Sequence, residues 1–245
     1  MIKSIRTIMK QDKERYKVPR KVQDVIPIRR IWPDGIFQVG NKFTKMYRFT
    51  DINYLVASRE DKESMFLTYS ELLNSLDSGA TTKLTIYNHR QNRASFEKSI
   101  LMPMKEDGLD QYRKEYNQML LDKATGANGI MQEKYLTVSV ARKDVDEART
   151  YFSRIGADLS AHFAALGSKC MELTAAERLR MLHDFYRAGE ETTFDFDIKR
   201  MARKGHDIRD FICPDVIEKN KDYLILGDQY CRVLFLKDYA SYIKD

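Results

Sequence analysis

Apolar residues recur along the chain with two periods, one of two residues and one of about 3.6 residues. Period two predicts β-strands, because successive strand side chains point to opposite faces. The segments with this pattern are Asn41–Thr50, Thr81–Asn88 and Lys134–Ala141. Period 3.6 predicts amphipathic helices. These run from Ser58 to about Leu76, from about Asp110 to Lys123, from Asp144 to Leu166 and from Thr174 to Tyr186.

Residues at the segment ends support these bounds. Ser58 is a favourable helix N-cap, and Thr174 with Glu177 matches the capping-box pattern, as does Asp144 with Glu147. The first helix carries an apolar stripe, typical of a core-facing side, at Met65, Phe66, Tyr69, Leu72, Leu73 and Leu76. The remaining predicted elements are a turn at residues 32–35 and extended pieces at Asp24–Trp32, Gly35–Gly40, Thr193–Ile198, Asp222–Leu226 and Tyr230–Leu236.

The alternation of these elements predicts an α+β fold. The strands are half-polar, which favours a mostly antiparallel sheet over a buried parallel one. We therefore expect helices packed on one face of the sheet. The section from Asn41 to Leu173 is compatible with a split β-α-β arrangement of ferredoxin-like type. The expected organisation is a flexible basic arm at residues 1–21 and one α+β domain at residues 22–245.

The basic arm carries the whole excess charge of the protein. The chain has 42 Lys and Arg against 36 Asp and Glu, a net charge of +6. Residues 1–21 contain eight of the basic residues and only two acids. Three roles stay open for this arm: a solvated leader, a contact with anionic lipid, or a contact with a nucleic-acid backbone. Apolar residues at near-helical spacing give the lipid alternative a weak signal: Ile2, Ile5, Ile8 and Met9.

The composition predicts a cytoplasmic protein without a transmembrane helix. The mean hydropathy is −0.54, and the sequence lacks an apolar run of the roughly 18 residues that a bilayer requires. The N-terminus is charged from Lys3 onward, unlike a signal peptide. Three scattered cysteines, Cys170, Cys213 and Cys231, fit reduced and mostly buried thiols better than a disulfide framework.

Local catalytic and cofactor motifs are absent from the sequence. A P-loop needs Gly-x4-Gly-Lys-Ser/Thr, so that backbone N–H groups surround the phosphates, and residues 167–170 have the wrong order and spacing. The four histidines, His89, His162, His183 and His206, lack metal-ligand spacing. His162 and His183 are interpreted as core or boundary residues. No catalytic, cofactor-binding or metal-ligating residue is therefore assigned.

Three weaker patterns give only loose indications of a site. Asp195 and Asp197 would share a strand face and bind a cation, or form a solvated face. The run Cys213–Asp215 with Glu218 matches a nuclease acid pair only loosely. Basic and aromatic residues interleave in Phe43–Phe49, as on a platform for single-stranded nucleic acid, although ordinary sheet packing explains that strand equally well.

Longer blocks of sequence carry a family resemblance. The blocks are Val18–Ile28, Pro33–Phe37, Phe49–Tyr54, Glu60–Ser78, Arg113–Tyr116, Gly126–Gly129, Leu166–Lys169 and Glu177–His183. Together they resemble the N-terminal region of the TraE/TrsE-type proteins, the VirB-four class of conjugative type IV secretion ATPases, in integrative elements of Gram-positive bacteria. The likeness is collinear over about residues 17–245.

The resemblance implies a front domain of a modular ATPase. In that family a RecA-like motor further along the chain binds ATP and magnesium, and the front region docks on other secretion components at the inner face of the cytoplasmic membrane. We therefore expect a non-catalytic assembly domain, with ATP hydrolysis in the full-length protein only. Two alternatives stay open: a nucleic-acid-binding accessory protein of a mobile element, and an enzyme whose site assembles only in space.

Overall fold

The largest element of the computed structural model is a six-stranded sheet. The structure describes residues 19–90, 101–126, 130–199, 207–236 and 238. The strands are β1 (Ile28–Ile31), β2 (Phe37–Val39), β3 (Lys42–Phe49), β4 (Thr81–Arg90), β5 (Ile130–Val140) and β6 (Cys170–Glu172). Their order is β1-β2-β3-β5-β4, and β6 also pairs with β3. Each of these pairings is antiparallel.

Strand β3 is the centre of this sheet. One of its edges pairs along its length with β5, from Phe43 opposite Val140 to Phe49 opposite Lys134. The other edge is shared, with β2 opposite residues 42–44 and β6 opposite residues 47–49. β3 therefore joins three segments that lie far apart in the sequence.

Four helices accompany the sheet in the described residues. They are α1 (Arg59–Asn74), α2 (Asp110–Gly126), α3 (Val145–Ala165) and α4 (Ala175–Tyr186). The Ser58 cap and the Thr174–Glu177 capping box are confirmed. At α3, Asp144 caps the helix, but the Glu147 carboxylate accepts a hydrogen bond from the N–H of Lys143 instead of closing a box.

The helices cover both faces of the sheet. On one face α1 and α3 enclose the main core, where the Tyr47 hydroxyl donates to the Phe152 carbonyl at 3.3 Å. On the other face α4 packs through Leu179 against Phe37. The α+β class and the mostly antiparallel sheet are confirmed, whereas the placement of all helices on one face is wrong. The second face is also apolar near β2 and needs cover.

A turn at residues 32–36, which we call the hub turn, connects the sheet to helix α4. Within it the Gly35 N–H donates to the Trp32 carbonyl at 3.0 Å. The buried guanidinium of Arg178 in α4 donates to the carbonyls of Gly35 (2.6 Å) and Thr44 (2.8 Å). It also lies over the Phe37 ring, 3.9 Å from the centroid. The hub turn was predicted, but its contacts were not.

A smaller sheet follows α4. It consists of β7 (Ile217–Lys219), β8 (Leu224–Leu226) and β9 (Gln229–Cys231) in that order. Short 3-10 helices at Val22–Val25 and Ile208–Phe211 lie beside a second core. The Gln23 side chain donates to Asp210 at 3.0 Å, which links the start of the described chain to this region.

Three predicted strands are corrected. Thr193–Asp197 is irregular and Ile198 begins a helical turn; Phe194 and Phe196 alternate because both pack on the second core, without a strand beside them. The strand predicted at Tyr230–Leu236 ends at Cys231, where β8 no longer provides a partner. The segment Asp24–Trp32 is extended only from Ile28 and begins in a 3-10 helix.

The connectivity around β3 is that of two interleaved β-α-β units. α1 connects β3 to β4 and α3 connects β5 to β6, and these four strands lie in the order β6-β3-β5-β4. This order agrees with a split β-α-β arrangement, and the ferredoxin-like assignment stays a prediction. α2 is inserted between β4 and β5. Across the described ranges, no helix combines the length and apolarity needed to cross a bilayer.

Candidate functional site

An apolar groove opens between α1, the end of α3, the edge strand β4 and its neighbour β5. Its volume is about 460 Å³. The apolar lining comes mainly from Phe49, Ile52, Leu72, Leu84, Ile86, Leu136 and Phe163. The charged residues in its lining are Lys134 and Asp51, which form an ion pair with each other. A groove with this lining can accommodate apolar side chains.

The groove exists because α1 buries only part of its apolar stripe. The sequence places six apolar residues on this stripe, and in the structure only Leu72 is fully buried. Phe66, Tyr69 and Leu73 remain exposed. α1 contacts α3, while its flank toward β4 stays open and forms one wall of the groove. The predicted helix is confirmed, and only part of its apolar stripe, including Leu72 and Met65, packs on the main core.

Strand β4 forms the opposite wall and is an edge of the sheet. It pairs with β5 over ten residues, from Thr81 opposite Ser139 to Arg90 opposite Ile130. Its other edge has no strand beside it in the described residues. Leu84 and Ile86 line the groove and remain 55% and 54% exposed. A long edge strand with apolar side chains is a template for pairing with another extended segment.

A second cavity lies on the opposite face of the same edge. Its volume is about 930 Å³. Side chains that line it include Tyr87 and His89 of β4, Phe185 of α4, and Tyr230 with Arg232. Burial, together with the carboxylates of Asp184, Glu191 and Glu133, raises the pKa of Tyr87 to about 12. The Tyr87 hydroxyl is therefore uncharged near neutral pH. With the groove on one face of β4 and this cavity on the other, both faces of the edge strand border open space.

The histidines occupy separate places. His183 is buried in α4, with its ring nitrogens near Asp184 (3.1 Å) and the Thr193 hydroxyl (3.3 Å). Its interpretation as a satisfied core residue is confirmed. His162 lies half-buried on α3. His89 stacks on Tyr87 and contacts Glu133. His206 lies outside the described residues.

The acidic patterns do not converge in the described part of the chain. Asp195 and Asp197 lie in an irregular segment, and the Asp197 carboxylate accepts from the N–H of Lys199 at 2.8 Å. Asp215 forms an ion pair with Arg187, and Glu218 is exposed on β7. Within the described ranges, no three His, Cys, Asp or Glu side chains come together as potential metal ligands.

The strand proposed as a nucleic-acid platform is covered by protein. Phe43 and Tyr47 belong to the main core under α3. Lys45 is also buried, and its ammonium contacts the Glu172 carboxylate at 2.5 Å. On the other face, Thr44 and Met46 are buried as well. Both faces of residues 43–47 are therefore covered, and sheet packing explains the interleaved pattern. The basic arm lies outside the described residues except for residues 19–21.

The three cysteines are free thiols. Cys213 is buried, and Cys170 and Cys231 are half-buried. Burial raises the pKa of Cys170 and of Cys213 to about 11, assisted by neighbouring carboxylates. Both thiols are consequently protonated near neutral pH, and a thiol reacts as its thiolate. A structural role fits these two residues.

The insert between β4 and β5 is held together by its own polar contacts. Asn117 of α2 exchanges two hydrogen bonds with the backbone of Met102, at 2.9 and 3.0 Å. Arg113 bridges the carboxylates of Asp107 and Asp110. The hydrogen bond from Arg113 lowers the pKa of Asp107 to about 2. These contacts fix the start of α2, and Tyr112 on this helix is exposed to solvent.

Replacing Arg113 by glutamine is expected to raise the Asp107 pKa toward its ordinary value of about 3.9. A lowered carboxyl pKa stabilises the fold above the ordinary value, and this contribution disappears as the pH falls from about 4 to about 2. Carboxyl carbon shifts read by NMR at pH 3 should show an ionised Asp107 in the parent and a largely protonated one in Arg113→Gln. Lys114→Gln is the matched control, and equal titration of Asp107 in all three proteins would refute the contact.

The groove was not identified from the sequence. The sequence shows both the alternation of Leu84 and Ile86 in β4 and the apolar stripe on α1, but neither pattern indicates that the two elements face each other across a groove. What the pattern lacks is the lateral placement of α1 relative to β4, which depends on packing against α3.

No protein-family model matches the chain, and no curated protein matches it either.

Proposed function

We propose that this chain is a docking domain that binds a protein partner through the β4 edge and the adjoining apolar groove. The observation that carries the proposal is the juxtaposition of the two: β4 has no strand beside its outer edge in the described part of the chain, and through Thr82, Leu84 and Ile86 it borders a groove of about 460 Å³. Edge strands supply main-chain hydrogen bonds to an added strand, and neighbouring pockets accept its alternate side chains.

The partner chemistry follows from the lining. Thr82, Leu84 and Ile86 share the groove face of β4. An extended segment added beside them places every second side chain over the groove. The groove is mostly apolar, and its two charged lining residues, Lys134 and Asp51, form an ion pair with each other. The favoured partner is therefore an extended protein segment with alternating apolar side chains.

The resemblance to TraE/TrsE-type proteins gives this docking a context. We propose that the chain acts as the N-terminal assembly domain of a conjugative type IV secretion ATPase. Its partners would be other secretion components at the cytoplasmic membrane and the motor domain of the same polypeptide. ATP and magnesium would bind in that motor domain, so this chain is proposed to contribute assembly and not hydrolysis.

Placing two aspartates on the groove face of β4 tests this function. In donor cells that carry the corresponding conjugative element, Leu84→Asp with Ile86→Asp should lower transfer frequency at least tenfold. Charges there oppose burial of a partner's apolar side chains, and a tenfold change corresponds to about 1.4 kcal/mol. A photo-crosslinker at residue 82, on the groove face of β4, should attach to a secretion component in the parent and lose that product in the double variant.

A control with the same chemistry is available outside the groove. Leu55 and Val56 are 90% and 77% exposed, so Leu55→Asp with Val56→Asp adds the same charge without touching β4. This control should transfer within threefold of the parent. If both double variants keep parental melting temperatures and parental transfer frequency, the groove is not the docking site and the proposal fails.

A further inference from the structure

The segment that leaves β9 has the composition of a strand but has no strand partner in the described residues. Arg232–Leu236, which we call the strap, follows β9 directly and is irregular. Its four apolar residues, Val233, Leu234, Phe235 and Leu236, are 68% to 81% exposed. Four consecutive exposed apolar residues are unusual on a protein surface. A continuous apolar run is typical of a strand that is covered on both faces.

The β4 edge offers such a position. The groove lies on the face of β4 that carries Leu84 and Ile86. The second cavity lies on the opposite face, beside Tyr87 and His89. A strand added to this edge would project alternate side chains into each of the two spaces. In either register, two of the four apolar strap residues would face the apolar groove, and the other two would face the second cavity, whose lining combines Tyr87, Phe185 and Tyr230 with polar groups such as Asp184 and Glu191.

The strap starts within reach of this edge. Arg232 lines the second cavity together with Ile86 and His89 of β4. Five extended residues span roughly 17 Å, which is the length of β4 from Ile86 back to Thr82. The strap would run along the groove in the direction opposite to β4, so that the added pair is antiparallel. All strand pairings already present in the large sheet are antiparallel as well.

We propose that the strap of the same chain pairs with the β4 edge and covers the groove, and that a docking partner replaces it there. The pairing of the strap is independent of the proposed function, and only the replacement by a partner rests on it. The free chain would thus alternate between an open form, which the structure shows, and a closed form in which its own strap protects the edge. Covering an apolar edge in this way prevents unwanted pairing between copies.

Hydrogen exchange of the isolated chain tests the strap without any partner. Alternate N–H groups of β4 point away from β5 and would exchange at unprotected rates if the edge stayed open. We expect these amides to be protected at least tenfold in the parent. Leu234→Pro removes a donor from the strap and should abolish that protection. Leu234 is 81% exposed, so the substitution leaves the core of the open form intact.

Leu55→Pro is the matched control, since Leu55 is an equally exposed leucine in a turn away from β4. It should keep parental β4 protection. Rapid exchange of the outward amides in the parent would overturn the strap. Protection that appears only at concentrations where sedimentation detects dimers would also overturn it, in favour of a second copy. Neither result depends on secretion components, so a failed transfer experiment and a failed strap are distinguishable.

Discussion

Replacing Gly35 by alanine is expected to destabilise the folded protein by about 4 kcal/mol or more, a loss reserved for severe core disruption. A Cβ at this position would lie 1.9 Å from the Leu173 carbonyl oxygen, whereas carbon and oxygen normally approach to about 3.3 Å. The obstacle is backbone and cannot rotate away. Gly35 also has a φ of 80°, a backbone angle that residues with a side chain rarely adopt. Urea denaturation measures the loss.

Gly40→Ala separates the clash from the conformational cost. Gly40 also has a positive φ, of 60°, but nothing lies within 4 Å of the position that a Cβ would occupy there. Alanine there should cost only about 1–2 kcal/mol. The difference between the two variants therefore reports the contact between the hub turn and Leu173. Equal losses in Gly35→Ala and Gly40→Ala would show that this contact is not rigid.

Arg178→Ala is expected to cost about 3 kcal/mol, similar to breaking a buried polar pair. The guanidinium donates to the Gly35 and Thr44 carbonyls and to the Thr44 hydroxyl. Its removal leaves these buried oxygens without a donor and opens a cavity over Phe37. Burying the charged guanidinium also has a cost, because desolvation disfavours the charged form and lowers the pKa of Arg178 to about 9. We expect the lost hydrogen bonds and packing to outweigh the relief of desolvation.

The same helix provides the control. Arg180 is two residues away and forms a partly exposed i,i+4 ion pair with Asp184. Arg180→Ala should change the free energy of unfolding by no more than about 0.5 kcal/mol. Chemical denaturation of both variants measures the contrast. A similar loss at the two positions would mean that the contacts of Arg178 are not special.

Local features of this fold were predictable because they depend on neighbouring residues. Ser58 and Thr174 mark helix starts through hydrogen bonds to residues three positions ahead. Alternation in β3 and β5 identified their faces, since the side-chain period of a strand does not depend on its partner. The turn at Pro33–Gly35 also follows from local backbone preferences.

Features that depend on distant partners were not predictable. Arg178 has the sequence signature of a solvated helix position, because arginine is rarely buried. Only the approach of the hub turn and β3 gives it acceptors. β6 has three residues, too few for a periodic signal, and is a strand because the edge of β3 beyond β2 is free to pair. The groove likewise reflects how α1 sits beside β4, which no local pattern specifies.

The position of β3 at the centre of the sheet has a consequence for synthesis on the ribosome. β3 needs β5 and β6 as neighbours, and β6 is translated about 120 residues after β3. At roughly 5–20 residues per second, the apolar side of the nascent β3 waits for at least several seconds without its final neighbours. Folding of the large sheet is therefore largely delayed until α3 and β6 have emerged, and general chaperones have time to bind the segment Phe43–Phe49 before then.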